Sequence, residues 1–166
     1  MTDLVKTIEV NISTQTLSLF EDTQLIKTYA VSTAKNGTGQ LNGSECTPLG
    51  KHSIHEKLGE KAAENSVFVG RSETGEIFTE SLRQAQPERD WILSRILWLS
   101  GLELGKNRGG EVDTMRRYIY IHGCPDADSF SVPSSHGCVK MRNKDVIDLF
   151  KRVTVGAVVE IKNGIN

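Results

Sequence analysis

The chain has 166 residues, of which 37% are hydrophobic and 25% charged, and its formal net charge is -1. This composition is typical of a soluble globular protein, and the length favours one domain spanning residues 1–166. The near-zero charge argues against nucleic acid or an anionic membrane surface as partner, and no apolar run is long enough to cross a bilayer.

The start of the chain and its cysteines bear on location. The first ten residues, MTDLVKTIEV, lack the basic start, apolar centre and small-residue cleavage site of a secretory signal. Three cysteines are present, Cys46, Cys124 and Cys138, an odd number that is typical of reduced thiols. Both observations predict a cytoplasmic protein. The alternative is a periplasmic protein whose signal peptide has been removed.

Short strands joined by polar turns are predicted for the first third of the chain. Ile8, Val10 and Ile12 alternate with polar residues, Leu17 and Leu19 belong to a second strand, and 25–32 forms a third. The segment 35–47 is rich in Gly, Asn, Ser and Thr and is predicted to be a loop. A strand over 51–56 follows, so this part of the chain indicates a β-rich meander.

The second half of the chain is also predicted to be mostly strand. In 91–104, WILSRILWLSGLEL, the β-branched and aromatic residues favour a strand for the second half of the segment. Further strands are predicted over 117–122 and 157–161. A helix over 144–152 is expected to be capped by Asn143. The predicted fold is mainly β with one or two short helices.

The stretch 118–143, YIYIHGCPDADSFSVPSSHGCVKMRN, holds the candidate chemistry. A cysteine is a good nucleophile only as its thiolate, which a nearby base produces. Cys138 has two histidines close to it in sequence, His122 and His136, each followed by a glycine. We predict that Cys138 is the nucleophile and His122 the base, brought together by the proline- and aspartate-containing loop between them. His122 is expected to lower the pKa of Cys138, because a nearby imidazolium favours the thiolate.

The ordered motif His122-Gly123, then Ser135-His136-Gly137-Cys138, resembles the signature of the YkuD-type L,D-transpeptidases. These are cysteine enzymes that act on the peptide stems of bacterial peptidoglycan. The resemblance implies a YkuD-like β-sandwich or barrel, and a Gly123 carbonyl that orients the His122 ring. It also implies an oxyanion site at the backbone N–H groups around Gly137 and Cys138, and a substrate groove shaped by Ser135 and His136.

Two positions depart from the family's usual residues. Cys124 follows the first His-Gly, where a small hydroxyl residue is more frequent, and is predicted to be a packed thiol. Lys140 stands where Arg or Asn is usual, and a lysine cannot make an arginine's forked contact with a carboxylate. We therefore expect anion recognition to differ here, with Arg142 as the candidate. Arg116 and Arg117 are candidates for binding a substrate carboxylate, but we favour a solvated charge pair.

The resemblance further implies acyl transfer through a Cys138 thioester. The thioester forms when Cys138 attacks the bond between a diamino acid and the terminal D-Ala of a tetrapeptide stem. Water as acceptor gives L,D-carboxypeptidation, whereas an amine of a second stem gives an L,D-transpeptidase crosslink. Because a cytoplasmic location is expected, we favour an L,D-carboxypeptidase of cell-wall recycling, with the transpeptidase as alternative. The expected partners are peptidoglycan stem peptides (tetrapeptide muropeptides), no cofactor is expected, and the sequence gives no prediction of oligomeric state.

A metal site is the rival interpretation of the same stretch. His122-Gly123-Cys124 and His136-Gly137-Cys138 repeat a His-x-Cys pattern, and four such ligands are a plausible tetrahedral zinc set. The protein would then be a zinc-stabilised wall-peptide binding module without enzymatic activity. This spacing is not typical of zinc sites, and metal binding would consume the nucleophile. We therefore predict no metal ligands.

Overall fold

The computed structural model describes residues 4–164, which form ten β-strands and two α-helices, so the fold is mainly β as predicted. The strands are β1 (Lys6–Asn11), β2 (Thr16–Glu21), β3 (Gln24–Ser32), β4 (Gly50–Leu58), β5 (Ser66–Val69), β6 (Ser72–Ile77), β7 (Ile92–Gly101), β8 (Tyr120–Gly123), β9 (Val139–Met141) and β10 (Val158–Lys162). The helices are α1 (Glu80–Ala85) and α2 (Asn143–Arg152). No helix within 4–164 has the length and apolar character needed to cross a membrane.

The strands form one sheet that closes on itself. Eight of them follow the order β4, β10, β1, β2, β3, β9, β8, β7, and β7 pairs back with β4, which makes a barrel. The β1–β10 and β8–β9 pairs are parallel. The β5–β6 hairpin extends the sheet beyond β7, where β5 pairs with the first residues of β7.

The alternation seen in the sequence places one side of each early strand in the core. Ile8, Val10, Leu17 and Leu19 are each at most 1% exposed. Apolar residues of α2 join the same cluster. Burying a side chain of this size contributes about 1.5–3 kcal/mol, so these strands and α2 hold the barrel together.

The structure extends or shifts several predicted elements. β7 is a strand along its whole length, because it pairs with β4, β5 and β8. β8 begins at Tyr120 rather than 117, since Tyr118 has a φ of 55° that interrupts an extended strand. The loop predicted over 35–47 is confirmed. The elements β6, α1 and β9 were not predicted from the sequence.

The prediction that Asn143 caps α2 is wrong. Asn143 is the first residue of α2 and is fully buried; its side-chain amide donates to Cys124 O at 2.8 Å and its Oδ1 accepts from Ser94 Oγ at 2.5 Å. The Asn143 backbone N–H instead donates to Asp126 Oδ1 at 3.0 Å. Asp126, in the loop that follows β8, therefore supplies an acceptor for a backbone N–H that has no partner within the helix.

Candidate active site

The register of β8 and β9 brings the two predicted catalytic residues onto one face of the sheet. Ile121 pairs with Val139 and both lie in the core, whereas His122 pairs with Lys140. Side chains alternate along a strand, so His122 and Lys140 face away from that core. Cys138 is two positions before Lys140 and therefore lies on the same face, diagonally across from His122.

This face carries a cavity of about 150 Å³. It is lined by Asp90, Arg117, Tyr118, Ile119, His122, Ser135, His136, Cys138 and Lys140. Four of the predicted site residues therefore meet there, namely His122, Ser135, His136 and Cys138. Gly123 and Gly137 are chain neighbours of lining residues.

The His122 ring is held in one tautomer. Nδ1 donates to Gly123 O at 2.7 Å, which is the hydrogen bond that the family resemblance implied. Since a carbonyl can only accept, Nδ1 carries the proton and Nε2 keeps its lone pair. The residue is 1% exposed, and that burial is the main cause that lowers the pKa of His122. His122 is thus a neutral base at pH 7, with Nε2 as its basic atom.

Gly123 occupies a position that no larger residue fits. A Cβ placed there would meet the backbone carbonyl of Leu93 and lie 2.8 Å from Asn143 Oδ1. The absence of a side chain lets β8 lie close against β7 and α2. The carbonyl that orients His122 is thereby fixed by packing on two sides.

The Cys138 thiol is hydrogen-bonded by the backbone of the residues before and within β8. Tyr120 N–H donates to Cys138 Sγ at 3.3 Å, and the thiol donates to Tyr118 O at 3.5 Å. Burial is the main cause that raises the pKa of Cys138, while the Tyr120 N–H lowers it by stabilising the thiolate. The resting site therefore pairs a neutral thiol with a neutral imidazole. This differs from the expectation of a thiolate already formed beside His122.

The turn before Cys138 is fixed by its own hydrogen bonds. Ser135 Oγ donates to Cys138 O at 2.5 Å and accepts from Gly137 N at 3.2 Å, and Thr47 Oγ1 donates to Gly137 O at 2.8 Å. Gly137 has a φ of 133°, in the region that favours glycine. Ser135 borders the cavity, but its hydroxyl is used to build this turn.

These contacts reduce the number of backbone N–H donors in the predicted oxyanion site. The Gly137 N–H is already bonded to Ser135 Oγ, so it is not the free donor that the motif implied. No hydrogen bond joins the Cys138 N–H to any other described residue. The Cys138 N–H is thus the donor available to a developing oxyanion.

The cationic residues around the cavity differ from the prediction. Arg142 lies outside the lining: its guanidinium stands 4.6 Å from the Phe130 ring centroid and 4.0 Å from Asp145, so its position does not support a role in substrate binding. Lys140 does line the cavity, and its Nζ lies 3.1 Å from Ser134 Oγ and 3.5 Å from Asp128 Oδ2. Positive charge beside Cys138 therefore comes from Lys140 together with Arg117, and both lower the pKa of the thiol.

Arg117 and Asp90 are lining residues that sequence reasoning missed. Arg117 was expected to be solvated, yet it is half-buried and donates to Cys46 O at 2.7 Å and to Gly39 O at 3.3 Å. It therefore holds the 35–47 loop at the edge of the cavity. Asp90 lies two residues before the start of β7, and its charge raises the pKa of His122 against the effect of burial. No motif in the sequence marks either residue.

The zinc interpretation lacks a ligand set. Within residues 4–164, no group of three or more His, Cys, Asp or Glu side chains is placed to hold a metal ion. Cys124 is 1% exposed and its thiol donates to Met141 O at 3.5 Å. Burial raises the pKa of Cys124 to about 12, which is the behaviour of a packed thiol.

Comparisons with known proteins agree with this geometry. A family model described as the L,D-transpeptidase catalytic domain, YkuD, matches residues 5–161. No curated protein matches the chain. A solved structure of L,D-transpeptidase 3 from Mycobacterium tuberculosis with a faropenem-derived adduct is 14% identical, with a TM-score of 0.59, and the match covers 96% of this chain and 61% of that one.

Two further solved structures have the same fold. The L,D-transpeptidase from Mycobacterium smegmatis is 12% identical with a TM-score of 0.56, covering 95% of this chain and 58% of that one. The L,D-transpeptidase from Xylanimonas cellulosilytica is 17% identical with a TM-score of 0.53, covering 96% of this chain and 61% of that one. The chain thus spans about three-fifths of the length of these three structures.

Proposed function

The chain belongs to the YkuD family of L,D-transpeptidase catalytic domains, and we propose that it is a cysteine-dependent L,D-carboxypeptidase of peptidoglycan stems. Its substrate is a tetrapeptide stem, and its products are a tripeptide and D-Ala. The observation that carries the proposal is the placement of Cys138 in one cavity with His122, whose Nδ1 is fixed by Gly123 O at 2.7 Å.

The first half of the reaction forms the thioester. Cys138 Sγ attacks the carbonyl carbon that precedes D-Ala while its proton passes to His122 Nε2. The Cys138 N–H donates to the oxyanion of the tetrahedral intermediate. When that intermediate collapses, the C–N bond breaks and His122 Nε2 returns the proton to the leaving amine of D-Ala. His122 is then a neutral base again.

The second half of the reaction regenerates the thiol. His122 Nε2 removes a proton from a water molecule, whose oxygen attacks the thioester carbonyl. The C–S bond breaks, the thiolate takes the proton from His122, and the tripeptide leaves with a new carboxylate. The Tyr120 N–H at 3.3 Å from Sγ stabilises the departing thiolate.

The cavity has room for water as the acceptor. Its volume of about 150 Å³ exceeds the roughly 10–15 Å³ that one water molecule needs. The space vacated by D-Ala admits water readily, whereas an acceptor stem needs a second groove leading to Sγ.

The three free thiols fit a reducing compartment, so we place the reaction in the cytoplasm, on soluble wall fragments.

Transpeptidation is the second candidate, because the solved structures that share this fold carry the name L,D-transpeptidase. In transpeptidation the acyl group of the thioester is transferred to the amine of another stem. The product is then a crosslinked dimer in place of a free tripeptide. A penem or carbapenem is expected to acylate Cys138 under either candidate, as the faropenem-derived adduct of the similar structure illustrates.

The test is product analysis with both acceptors present. The purified chain is incubated in H₂¹⁸O with a tetrapeptide stem and an excess of a stem carrying a free amine, and the products are identified by mass spectrometry. We expect free D-Ala and a tripeptide with one ¹⁸O atom, and no turnover by Cys138→Ala. The Cys124→Ala variant serves as the matched control. Predominant dimer would support transpeptidation, and no turnover of any stem would exclude both candidates.

A further inference from the structure

The turn of the β5–β6 hairpin holds an arginine in an unfavourable backbone conformation. Val69 pairs with Ser72, so Gly70 and Arg71 form a two-residue turn, with φ values of 52° and 71°. Positive φ at both positions is the geometry of a type I′ hairpin turn, which usually has Gly, Asn or Asp at such positions. An arginine there is uncommon, and such outliers persist where the surroundings hold them.

The surroundings that hold Arg71 are two aromatic rings and one hydroxyl group. Its Cζ lies 4.8 Å from the Trp98 ring centroid and 4.7 Å from that of Tyr118. Its Nη1 donates to the Tyr120 hydroxyl at 3.0 Å. A guanidinium stacked on two rings and hydrogen-bonded at one corner has little freedom to rotate. The side chain is therefore held in one orientation although it is partly exposed.

The residues that hold Arg71 also contact the nucleophile. The Tyr118 carbonyl accepts a hydrogen bond from the Cys138 thiol, and the Tyr120 N–H donates to Cys138 Sγ. Trp98, Tyr120 and Cys138 also belong to one apolar cluster. Arg71 is thus connected to Cys138 through Trp98, Tyr118 and Tyr120, of which Tyr118 lines the cavity.

Most of the hydrogen-bonding capacity of Arg71 is unused. A guanidinium has five N–H donors, and the one bond found from Arg71 to the described residues is that to Tyr120. The ion pairs within 4–164 involve other cations. The Glu56 carboxylate is near enough to raise the pKa of Arg71 but does not pair with it. The forked edge that matches a carboxylate is therefore open.

We propose that Arg71 forms a carboxylate-binding subsite at the rim of the active site. Through paired N–H donors it receives a free carboxylate on the acyl side of the scissile bond, which is either the D-Glu α-carboxylate of the stem or the second carboxylate of the diamino acid. A stem in which that group is a carboxamide loses the charge and one acceptor oxygen, so the enzyme selects the free acid. This inference rests on the proposed function and adds a substrate preference to it.

The test compares stems that differ in one group. Two tetrapeptide stems are made with a carboxamide in place of the D-Glu α-carboxylate or of the second carboxylate of the diamino acid. The kcat/KM of each is measured against the free-acid stem. Because hydrogen bonds to charged groups are the stronger class, we expect the wild type to prefer the free acid at one position by about tenfold or more.

Variants separate binding from a structural role. Arg71→Gln is expected to bring that preference close to one, through KM rather than kcat, and Arg71→Lys to retain part of it. Arg152→Gln, which removes an arginine bound to Asp148 on α2, is the matched control with an unchanged preference. A merely structural Arg71 would lower the rates for both stems equally and leave the ratio as in the wild type.

Two results would count against this inference. A wild-type ratio near one for both carboxamides, with all stems turned over, overturns this inference and leaves the proposed function intact. The wild-type ratio needs no variant to fold, so a destabilised Arg71→Gln cannot obscure it. Failure to turn over any stem removes the proposed function and this inference with it.

Discussion

At the scale of single residues, one hydrogen bond decides which atom does the chemistry. Because Gly123 O accepts from His122 Nδ1, the lone pair of His122 lies at Nε2. The thiol of Cys138 and the imidazole of His122 are both neutral at rest, since burial acts on their pKa values in opposite directions. The nucleophile is therefore formed only as the proton moves during attack.

The pH dependence of kcat/KM tests this charge state. The lowered pKa of His122 keeps it a competent base below pH 6.5, so activity should stay flat from pH 8 down past that value. The Asp90 charge raises the His122 pKa and that of Lys140 lowers it. We therefore expect the acid limb to move to lower pH in Asp90→Asn and to higher pH in Lys140→Gln. Shifts in the same direction, or an acid limb above pH 7 in the wild type, would contradict the assignment.

Alkylation of the free enzyme tests the other member of the pair. In a variant with Cys46→Ala and Cys124→Ala, only Cys138 can react with iodoacetamide. With its pKa raised by burial, the rate should climb steadily from pH 6 to pH 9, because the thiolate fraction is small throughout. A rate that is already at a plateau at pH 6 would mean that a thiolate–imidazolium pair exists at rest.

At the scale of the elements, the catalytic face was only partly predictable. The strands β1 to β3 were predicted from the sequence, and the motif around Cys138 identified the proposed nucleophile. β9 was missed because three residues, Val139–Met141, are too few to show a period. It is a strand only because β3 and β8 pair with it on either side, and such tertiary pairing is not visible in a local pattern.

The same limit explains the errors at individual positions. Asn143 had the side chain of a helix cap, but its partners Ser94 and Cys124 are far away in sequence. Arg117 and Asp90 reach the cavity through the fold of loops that no motif describes. Local chemistry therefore predicted two residues that share the cavity, the proposed nucleophile and base, whereas the groups around them required the three-dimensional arrangement.

Asn143 offers a prediction for the packing behind the site. Its side chain joins Ser94 on β7 to the Cys124 carbonyl after β8, and it is fully buried. Asn143→Ala leaves the Ser94 O–H donor and the Cys124 carbonyl without the partner that Asn143 gives them, so we expect a loss of about 2–4 kcal/mol in the free energy of unfolding, with reduced kcat. Urea titration measures the first effect. Lys144→Ala, an exposed neighbour on α2, should change neither quantity, and a similar result for both variants would rule out this network.

At the scale of the whole molecule, the barrel buries a second histidine that the reaction does not use. His52 on β4 is fully buried; its Nδ1 donates to Gly50 O at 3.0 Å and its Nε2 accepts from Thr114 Oγ1 at 3.0 Å. Burial lowers the pKa of His52 from 6.5 to about 4. The folded protein therefore holds His52 neutral at a pH where the unfolded chain protonates it.

Acid stability follows with a definite sign. As the pH falls below 6.5 the unfolded chain binds a proton that folded His52 does not, so stability decreases until about pH 4, where His52 protonates in the folded protein too. The expected loss is about 3 kcal/mol over this window. Urea unfolding at pH 7 and pH 4.5 should show a smaller decrease for His52→Gln than for the wild type. Equal decreases in the two proteins would show that His52 does not contribute.

The central claim is that Cys138 carries the stem as a thioester that water resolves. Rapid quenching of the chain with a tetrapeptide stem, followed by intact-mass measurement and peptide mapping, tests it directly. We expect one adduct with the mass of the tripeptide acyl group, located on the peptide that contains Cys138. This adduct should decay as free tripeptide accumulates. Tripeptide released without any adduct on Cys138, or an adduct mapped to Cys46 or Cys124, would contradict it.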